Sequence, residues 1–319
     1  MAKRPLTGGL RPASIMAPGG RRAGPRPHPP RATDIDADIL RIPAGAGSLH
    51  VERYGQGGEP IVLLHGFGTS SFLWRAVGPT IAQHGHTALA VDLLGYGESD
   101  RPFDADYSLR AQADYLDRAL SAMRVERATI AGVDIGGGVG QILAVRRPAR
   151  VAKLALINSV GFDEWPADDV KGVRRGTARF ALRVSRGMLG AAPLLTPVLE
   201  GSVFDPQYMP PRLVARYLAP YVGRDGVSHL LALARALKAD DLDELDLSAI
   251  RAQTLIVWGE GDRWLDLALA DRLQAAIPGS QLVRIPAVGR LVPEELPEAL
   301  AGLLIEFVET PERTPEEVV

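Results

Sequence analysis

From residue 35 onward, apolar and polar residues follow two kinds of spacing that alternate along the chain. The run at 61–64 is wholly apolar, which is typical of a strand covered on both faces of a sheet. The run at 109–123 instead repeats its apolar residues at helical spacing. Because strands and helices alternate in this way, the sequence predicts an α/β fold with a mostly parallel sheet flanked by helices.

The same patterns give the order of elements. Strands are predicted at 35–42, 48–54, 61–64, 87–93, 128–133, 151–159, 254–258 and 281–285. Helices of the α/β layers are predicted at 71–84, 109–123, 136–147, 267–276 and 296–308. The alternation stops at about 161, and helical patterns separated by prolines follow at 170–189, 211–221 and 227–239. We therefore predict a core formed by 35–161 and 246–310, with a helical cap inserted at 162–245.

The first 34 residues have a different composition. Residues 1–33 contain seven basic residues and no acidic residue, are rich in proline and glycine, and have no apolar run. Such a segment cannot bury enough surface to order itself, so a disordered basic arm is predicted for 1–34. An arm that binds nucleic acid is the less favoured alternative. The pair Arg21-Arg22 is not followed by the hydrophobic stretch of an export signal, and a cytoplasmic location is expected.

Composition narrows the possible partners. The formal net charge of −2 gives no reason to expect nucleic acid or a membrane, and no window approaches the ~20 apolar residues of a membrane span. The absence of cysteine excludes disulfides, thiolate metal sites and a cysteine nucleophile. The sequence indicates no metal or organic cofactor, because it contains neither a clustered His/Asp/Glu set nor a phosphate-binding loop. A monomer or homodimer is expected.

The run AGVDIGGGVG at 131–140 contains the strongest chemical motif. Its GVDIG frame matches G-x-S-x-G, the sharp turn between strand and helix that exposes a nucleophile, with Asp134 in place of serine. The glycines at the ends of the frame allow the tight turn. A dinucleotide-binding turn needs G-x-G-x-x-G after the first strand, and this run does not have that spacing.

These motifs resemble the α/β-hydrolase superfamily over residues 35–308. The segment LLHGFGTSSFLWR is similar to the loop after the third strand, and DLLGYGESDRP to the loop after the next one. The resemblance implies an oxyanion hole formed by the backbone amides of Phe67 and Ile135. An aspartate at the elbow is most similar to haloalkane dehalogenases and epoxide hydrolases, in which it attacks carbon and a histidine-activated water hydrolyses the ester.

The chain departs from those branches at the leaving-group side. Dehalogenases place a tryptophan after the nucleophile, where this chain has Ile135, and often an asparagine after the HG pair, where it has Phe67. Epoxide hydrolases tend to read HGxP, whereas this chain reads HGFG. Because Ile135 and Phe67 stand where dehalogenases bind the halide, halide release is poorly supported by the sequence. For an epoxide oxygen, the cap tyrosines that could polarise it are Tyr208, Tyr217 and Tyr221.

The acid–base positions differ as well. The segment LIVWGEGDRWLD places Asp262 as the triad acid; the alternative acid position is occupied by Asn158, which cannot ionise. The family's closing G-H-x-x-x-x-E-x-P pattern reads GRLVPEELP here, so Arg290 occupies the histidine position. Arginine is always protonated near neutral pH and cannot be a general base. His229 in the predicted cap is the histidine that could replace it.

Arg290 suggests a different chemistry. A guanidinium within ~4–6 Å of Asp134 or Asp262 would keep that carboxylate ionised and oriented. We expect an enzyme that acts on a bulky hydrophobic small molecule, with biosynthesis as a possible setting, by non-hydrolytic acid–base chemistry such as cyclisation, C–C bond formation, addition or elimination. The alternatives are an Asp-nucleophile hydrolase of epoxides or haloalkanes, and a ligand-binding protein without turnover.

Overall fold

The computed structural model describes residues 36–162, 168–174 and 190–311 of the 319-residue chain. The predicted arm at 1–34 and most of the predicted helix at 170–189 lie outside these residues. The eight strands of the described sheet are β1 Asp38–Pro43, β2 Ser48–Tyr54, β3 Ile61–Leu64, β4 Ala88–Val91, β5 Ala128–Asp134, β6 Val151–Ser159, β7 Gln253–Gly259 and β8 Gln281–Ile285. Their spatial order is β1-β2-β4-β3-β5-β6-β7-β8.

Strand direction follows from the connections. β1 pairs with β2, and β2 with β4, in antiparallel fashion, while all other neighbouring pairs are parallel. The central strands β3, β5 and β6 are buried along their whole length, because helices cover both faces of the sheet. The predicted α/β class with a mostly parallel sheet is therefore confirmed.

Helices occupy the connections. They are α1 Val77–Gln83, α2 Leu109–Ala122, α3 Ile135–Arg146, α4 Asp168–Arg174, α5 Ala192–Gly201, α6 Pro211–Leu218, α7 Gly223–Ala236, α8 Asp240–Asp243, α9 Leu267–Ala276, α10 Val292–Glu295 and α11 Pro297–Glu309. One predicted helix, 71–84, is divided into a 3-10 turn at Ser71–Trp74 and α1. Pro79 has no backbone N–H and would disturb the interior of a continuous helix, whereas it is tolerated in the first turn of α1.

The residues between β6 and β7 differ from the rest of the fold. Where the structure describes them, at 168–174 and 190–250, they form helices and turns and contribute no strand to the sheet. We call residues 168–174 and 190–245 the cap segment. Leu195 of α5 packs so closely on the loop after β3 that a Cβ atom at Gly68 would lie 2.4 Å from its methyl carbon. The cap segment therefore contacts the carboxyl-terminal edge of the sheet.

No helix within the described ranges is both long enough and apolar enough to span a membrane.

Candidate active site

The turn from β5 to α3 raises Asp134 above the sheet. Asp134 has φ 53° and ψ −117°, a conformation that non-glycine residues seldom adopt and that costs about 1–3 kcal/mol. The flanking glycines make the turn possible. A Cβ atom at Gly132 would lie 2.3 Å from the carbonyl of Gly136, and one at Gly136 would lie 2.6 Å from the carbonyl oxygen of Leu64. The G-x-D-x-G frame therefore forms the sharp elbow that its sequence predicts.

One oxygen of the Asp134 carboxylate is bound by the loop after β3. The backbone amide of Phe67 donates to Oδ2 of Asp134 over 2.8 Å. Ile135, the other predicted amide donor, is fully buried and begins α3 immediately after Asp134. The N-terminal end of a helix favours a negative charge. The Phe67 amide, to which the sequence resemblance assigns a substrate oxyanion, thus donates to the chain's own Asp134 carboxylate in this structure.

Arg290 lies on the other oxygen. Its Nη1 is 3.4 Å from Oδ1 of Asp134, and its Nη2 donates to Oγ of Ser202 over 3.0 Å. The Ser202 hydroxyl donates to the carbonyl of Val198 over 2.6 Å, so its lone pairs are free to accept from the guanidinium. Arg290 and Asp134 are 2% and 1% exposed. Charges this deeply buried are tolerated when they are paired. Arg290, at the position that the resemblance assigns to the histidine base, is thus the counter-ion of Asp134.

Asp262 follows β7, on the Arg290 side of the site. It accepts hydrogen bonds from the backbone amides of Trp264 and Leu265 over 2.8 and 3.2 Å. Burial raises the pKa of Asp262, while the charge of Arg290 and the hydrogen bonds to this carboxylate act in the opposite direction. The three predicted ionisable residues Asp134, Asp262 and Arg290 are therefore brought to the same edge of the sheet.

Asn158 has a role that its residue type alone does not indicate. Its Nδ2 donates to Asp262 over 3.0 Å and to the carbonyl of Gly259 over 3.1 Å, and its Oδ1 accepts from the Gly259 amide over 2.8 Å. Asn158 thus joins the ends of β6 and β7 and orients Asp262. From the sequence alone, Asn158 is recognisable only as a position that lacks the alternative acid.

His229 is directed to a different group. Its Nε2 lies 2.6 Å from the carbonyl oxygen of Gly95 and donates to it, and its ring packs edge-on against Tyr107 at 5.4 Å between centroids. Burial lowers the pKa of His229, so the neutral ring is favoured. Among its contacts with described residues, none is to Asp134 or Arg290. The geometry therefore does not support His229 as a replacement base.

His65 also uses its ring nitrogens for hydrogen bonds to the backbone. The amide of Leu93 donates to its Nε2 over 3.1 Å, so Nδ1 carries the proton and donates to the carbonyl of Gly66 over 2.8 Å. Burial lowers the pKa of His65. This ring shapes the loop that carries Phe67, and both of its nitrogens are used for that purpose.

Two adjacent glutamates hold the Arg290 loop against the cap segment. Glu295 accepts from the backbone amides of Gly289, over 2.6 Å, and Phe204, over 3.1 Å. Glu294 forms a bidentate ion pair with Arg75, at 2.7 Å for both contacts, and accepts from the hydroxyl of Tyr217. Apart from the bond between Gly289 and Glu295, these contacts link parts of the chain that are far apart in sequence, so no local sequence pattern indicates them. They fix the position of the Arg290 backbone.

The described residues contain no group of three or more His, Cys, Asp or Glu side chains arranged to hold a metal ion.

Comparison with known proteins identifies the family. The model of the alpha/beta hydrolase fold family matches residues 59–297. The chain therefore belongs to the α/β-hydrolase fold family.

Individual relatives refine this assignment. A haloalkane dehalogenase of Agrobacterium fabrum is 40% identical over 124 residues, which is 39% of this chain and 40% of that protein. The crystal structure of the haloalkane dehalogenase DatA from Agrobacterium tumefaciens C58 superposes with a TM-score of 0.72 at 27% identity, over 86% of this chain and 96% of that one. A 2-hydroxy-6-oxo-2,4-heptadienoate hydrolase of Pseudomonas putida is 27% identical over 86% of this chain and 98% of its own length. The chain is a member of a superfamily of enzymes, and it lies near the dehalogenase branch.

Proposed function

We propose that this protein is an enzyme that acts on a bulky, hydrophobic small molecule by non-hydrolytic acid–base chemistry, with Asp134 as the group that moves a proton. The observation that carries the proposal is the buried contact between Arg290 Nη1 and Asp134 Oδ1, at 3.4 Å. Two partners of the carboxylate are a backbone amide and a guanidinium, and both are hydrogen-bond donors. Neither can take a proton from water.

Arg290 and Phe67 hold the Asp134 side chain ionised and in one orientation. A carboxylate with 1% exposure loses its hydration, and an ion pair and an N–H donor compensate for that loss. Oδ2 accepts from the Phe67 amide and Oδ1 lies against Arg290, and in this proposal Oδ1 is the oxygen that takes the proton. Arg290 keeps Asp134 charged and in place without competing for the proton, because a guanidinium does not deprotonate near neutral pH.

The reaction class follows from this arrangement. A substrate carbon acidified by a neighbouring carbonyl would give its proton to Oδ1 of Asp134, and the C–H electron pair would pass into an enolate. Hydrogen-bond donors preorganised around the enolate oxygen would supply much of the stabilisation. The enolate would then add to a second group, expel a leaving group, or take the proton back from Asp134. Cyclisation, addition and elimination all share this first step.

One observation favours a second candidate, an Asp-nucleophile hydrolase of epoxides or haloalkanes. The hydrogen bond from Phe67 to Oδ2 also suits a nucleophilic Oδ1. After attack on carbon, Oδ2 would become the ester carbonyl oxygen and would already lie against an amide donor. Hydrolysis of that ester needs an activated water, and general-base assistance is typically worth 10²–10⁴-fold. Arg290 cannot supply it.

The proposal can be tested with ketones as probes. Exchange of the α-hydrogens of 2-tetralone for deuterium, followed by NMR in D₂O, measures proton abstraction directly. We expect the wild type to exceed the buffer rate and Asp134→Asn to return to it, because the amide keeps the shape of the side chain but cannot take the proton. Asp36→Asn, which changes an exposed carboxylate near β1, should behave as the wild type.

The opposite result is equally clear. Exchange at the buffer rate in the wild type, both with 2-tetralone and with the open-chain ketone 4-phenyl-2-butanone, would contradict the proposed proton transfer. If the wild type also hydrolysed styrene oxide at an enzymatic rate, the second candidate would replace the first.

A further inference from the structure

The hydroxyls of two buried tyrosines have no hydrogen-bond partner among the residues that the structure describes. Tyr96 and Tyr221 are each 1% exposed, and the hydroxyl of neither makes a hydrogen bond within the described structure. Other buried tyrosines are satisfied. Tyr107 donates to the carbonyl of Pro102 over 2.6 Å, and Tyr217 donates to Glu294. Since an unpaired buried hydroxyl is costly, its presence points to a partner that is not part of the protein.

Tyr96 packs against the loop whose Phe67 amide binds Asp134. It belongs to the segment after β4, and its ring packs on the rings of His65, at 5.1 Å, and Phe67, at 6.5 Å. The negative charge of Asp134 reaches its hydroxyl: burial, the Tyr221 hydroxyl and the Asp134 carboxylate together raise the pKa of Tyr96 well above its ordinary value. Tyr96 is therefore a neutral donor close to the elbow carboxylate.

Tyr221 approaches from the cap segment. It ends the 3-10 turn Ala219–Tyr221, and Arg101 holds this turn by donating to the carbonyl of Pro220 over 2.6 Å. Arg101 also donates to the carbonyl of Gly97, one residue after Tyr96, over 2.6 Å. One guanidinium thus fastens the two tyrosine-bearing segments together. Burial raises the pKa of Tyr221, so this hydroxyl also remains protonated.

The proposed reaction requires donors of this kind. An enolate oxygen must be stabilised, and the Phe67 amide that the sequence assigned to this task already donates to Asp134. We propose that Tyr96 and Tyr221 together bind one carbonyl oxygen of the substrate, and the enolate oxygen formed from it, while Asp134 takes the proton from the adjacent carbon. The substrate class is then an apolar ketone. This inference rests on the proposed function, which it extends by naming the oxygen-binding residues.

The pair 2-tetralone and tetralin isolates the contribution of the oxygen, since both molecules have the same ring skeleton. Dissociation constants from titration calorimetry should show that the wild type prefers the ketone by about tenfold or more. Tyr96→Phe and Tyr221→Phe should each lose most of that preference and leave the affinity for tetralin unchanged. Tyr107→Phe, which removes a hydroxyl with a protein partner, should keep the preference. The infrared C=O stretch of bound 2-tetralone should shift to lower frequency in the wild type and return towards the free value in the two variants.

A stability measurement tests whether the hydroxyls of Tyr96 and Tyr221 have a structural role. Removing a hydroxyl that has no protein partner should leave the melting temperature of Tyr96→Phe and Tyr221→Phe unchanged or slightly raised. A clear decrease would mean that the hydroxyls serve the fold, and it would contradict the proposal. An unchanged ketone preference in both variants would also contradict it, because the hydroxyls would then pair only with water. Failure of the wild type to bind either molecule up to its solubility limit would exclude the substrate class.

Asp134→Asn separates this inference from the proposed function. This variant should retain the tyrosine-dependent preference for the ketone while its exchange activity is lost. If the preference exists but the wild type shows no exchange, the proposed function fails and the oxygen site stands. If exchange depends on Asp134 but neither exchange nor binding changes in the tyrosine variants, the oxygen site fails and the proposed function stands.

Discussion

The two halves of the candidate active site are held in different ways. The elbow half, Asp134 with Phe67, is fixed by backbone: a tight turn between glycines and an amide that donates over 2.8 Å. The opposite half, around Arg290, is fixed by side chains from distant segments. Ser202 of the cap segment accepts from the guanidinium, and Glu295 holds the preceding Gly289 amide.

This difference shows which part of the hydrolase arrangement the chain retains. The backbone of the elbow has the form that a nucleophilic or basic aspartate needs, so the chain keeps the means to place a carboxylate. In the other half, Arg290 places a permanent cation at the position that the sequence resemblance assigns to a water-activating histidine. A cation cannot accept a proton, and it keeps a neighbouring carboxylate ionised while lowering its basicity. In the function we propose, Asp134 itself is the group that moves a proton.

The largest effect is expected when the Arg290 half is returned to the hydrolase pattern. Arg290→His would release Oδ1 of Asp134 from its permanent counter-ion, so that it could attack carbon, and would also supply a water-activating base, which is worth about 10²–10⁴-fold. We expect this variant to hydrolyse styrene oxide at least ~10²-fold faster than the wild type, measured as diol by chromatography. Arg284→His, which alters an exposed arginine on β8, is the matched control and should gain nothing.

The same experiment can show that Arg290 is not what prevents hydrolysis. If the wild type and Arg290→His form diol equally fast, Arg290 does not block hydrolysis. The comparison would then no longer explain the chemistry.

Removing the cation should reveal how strongly the halves depend on each other. Arg290→Met leaves the buried Asp134 carboxylate without its counter-ion, and breaking a buried pair in this way typically costs 3–5 kcal/mol. We expect urea unfolding at neutral pH to show a loss of that order. The double variant Asp134→Asn/Arg290→Met should recover much of it, since no unpaired charge then remains. Equal stability of Arg290→Met and the wild type would mean that the contact at 3.4 Å contributes nothing.

A smaller effect is expected where the Arg290 half is held to the cap segment. Tyr217→Phe removes the hydrogen bond to the Glu294 carboxylate, and a bond to a charged group is worth about 1.5–3 kcal/mol. Tyr107→Phe removes a bond to a neutral carbonyl and should cost closer to ~1 kcal/mol. Thermal unfolding of the two variants in parallel measures the difference. If Tyr217→Phe were the more stable of the two, the buried glutamate would not fasten the cap segment as the structure indicates.

The contrast also separates what the sequence could predict from what it could not. Strand and helix order follow from local periodicity, and the strands at 48–54 and 281–285 have the predicted bounds. The elbow could be predicted because its glycines and aspartate are consecutive residues. The contact of Arg290 with Ser202, 88 positions away, and the bonds by which Arg101 joins the segments of Tyr96 and Tyr221 depend on how the cap segment meets the sheet. No local pattern encodes such contacts, and only the folded chain brings these residues together.

The central claim is that Asp134 moves a proton and does not act as the nucleophile of a hydrolase. Intact-mass spectrometry after incubation with styrene oxide tests it most directly, because an aspartyl ester formed in a site without a general base should persist. We predict an unmodified mass for the wild type under conditions in which it exchanges the α-hydrogens of 2-tetralone. An adduct of one styrene oxide molecule on the wild type, absent from Asp134→Asn, would contradict this account.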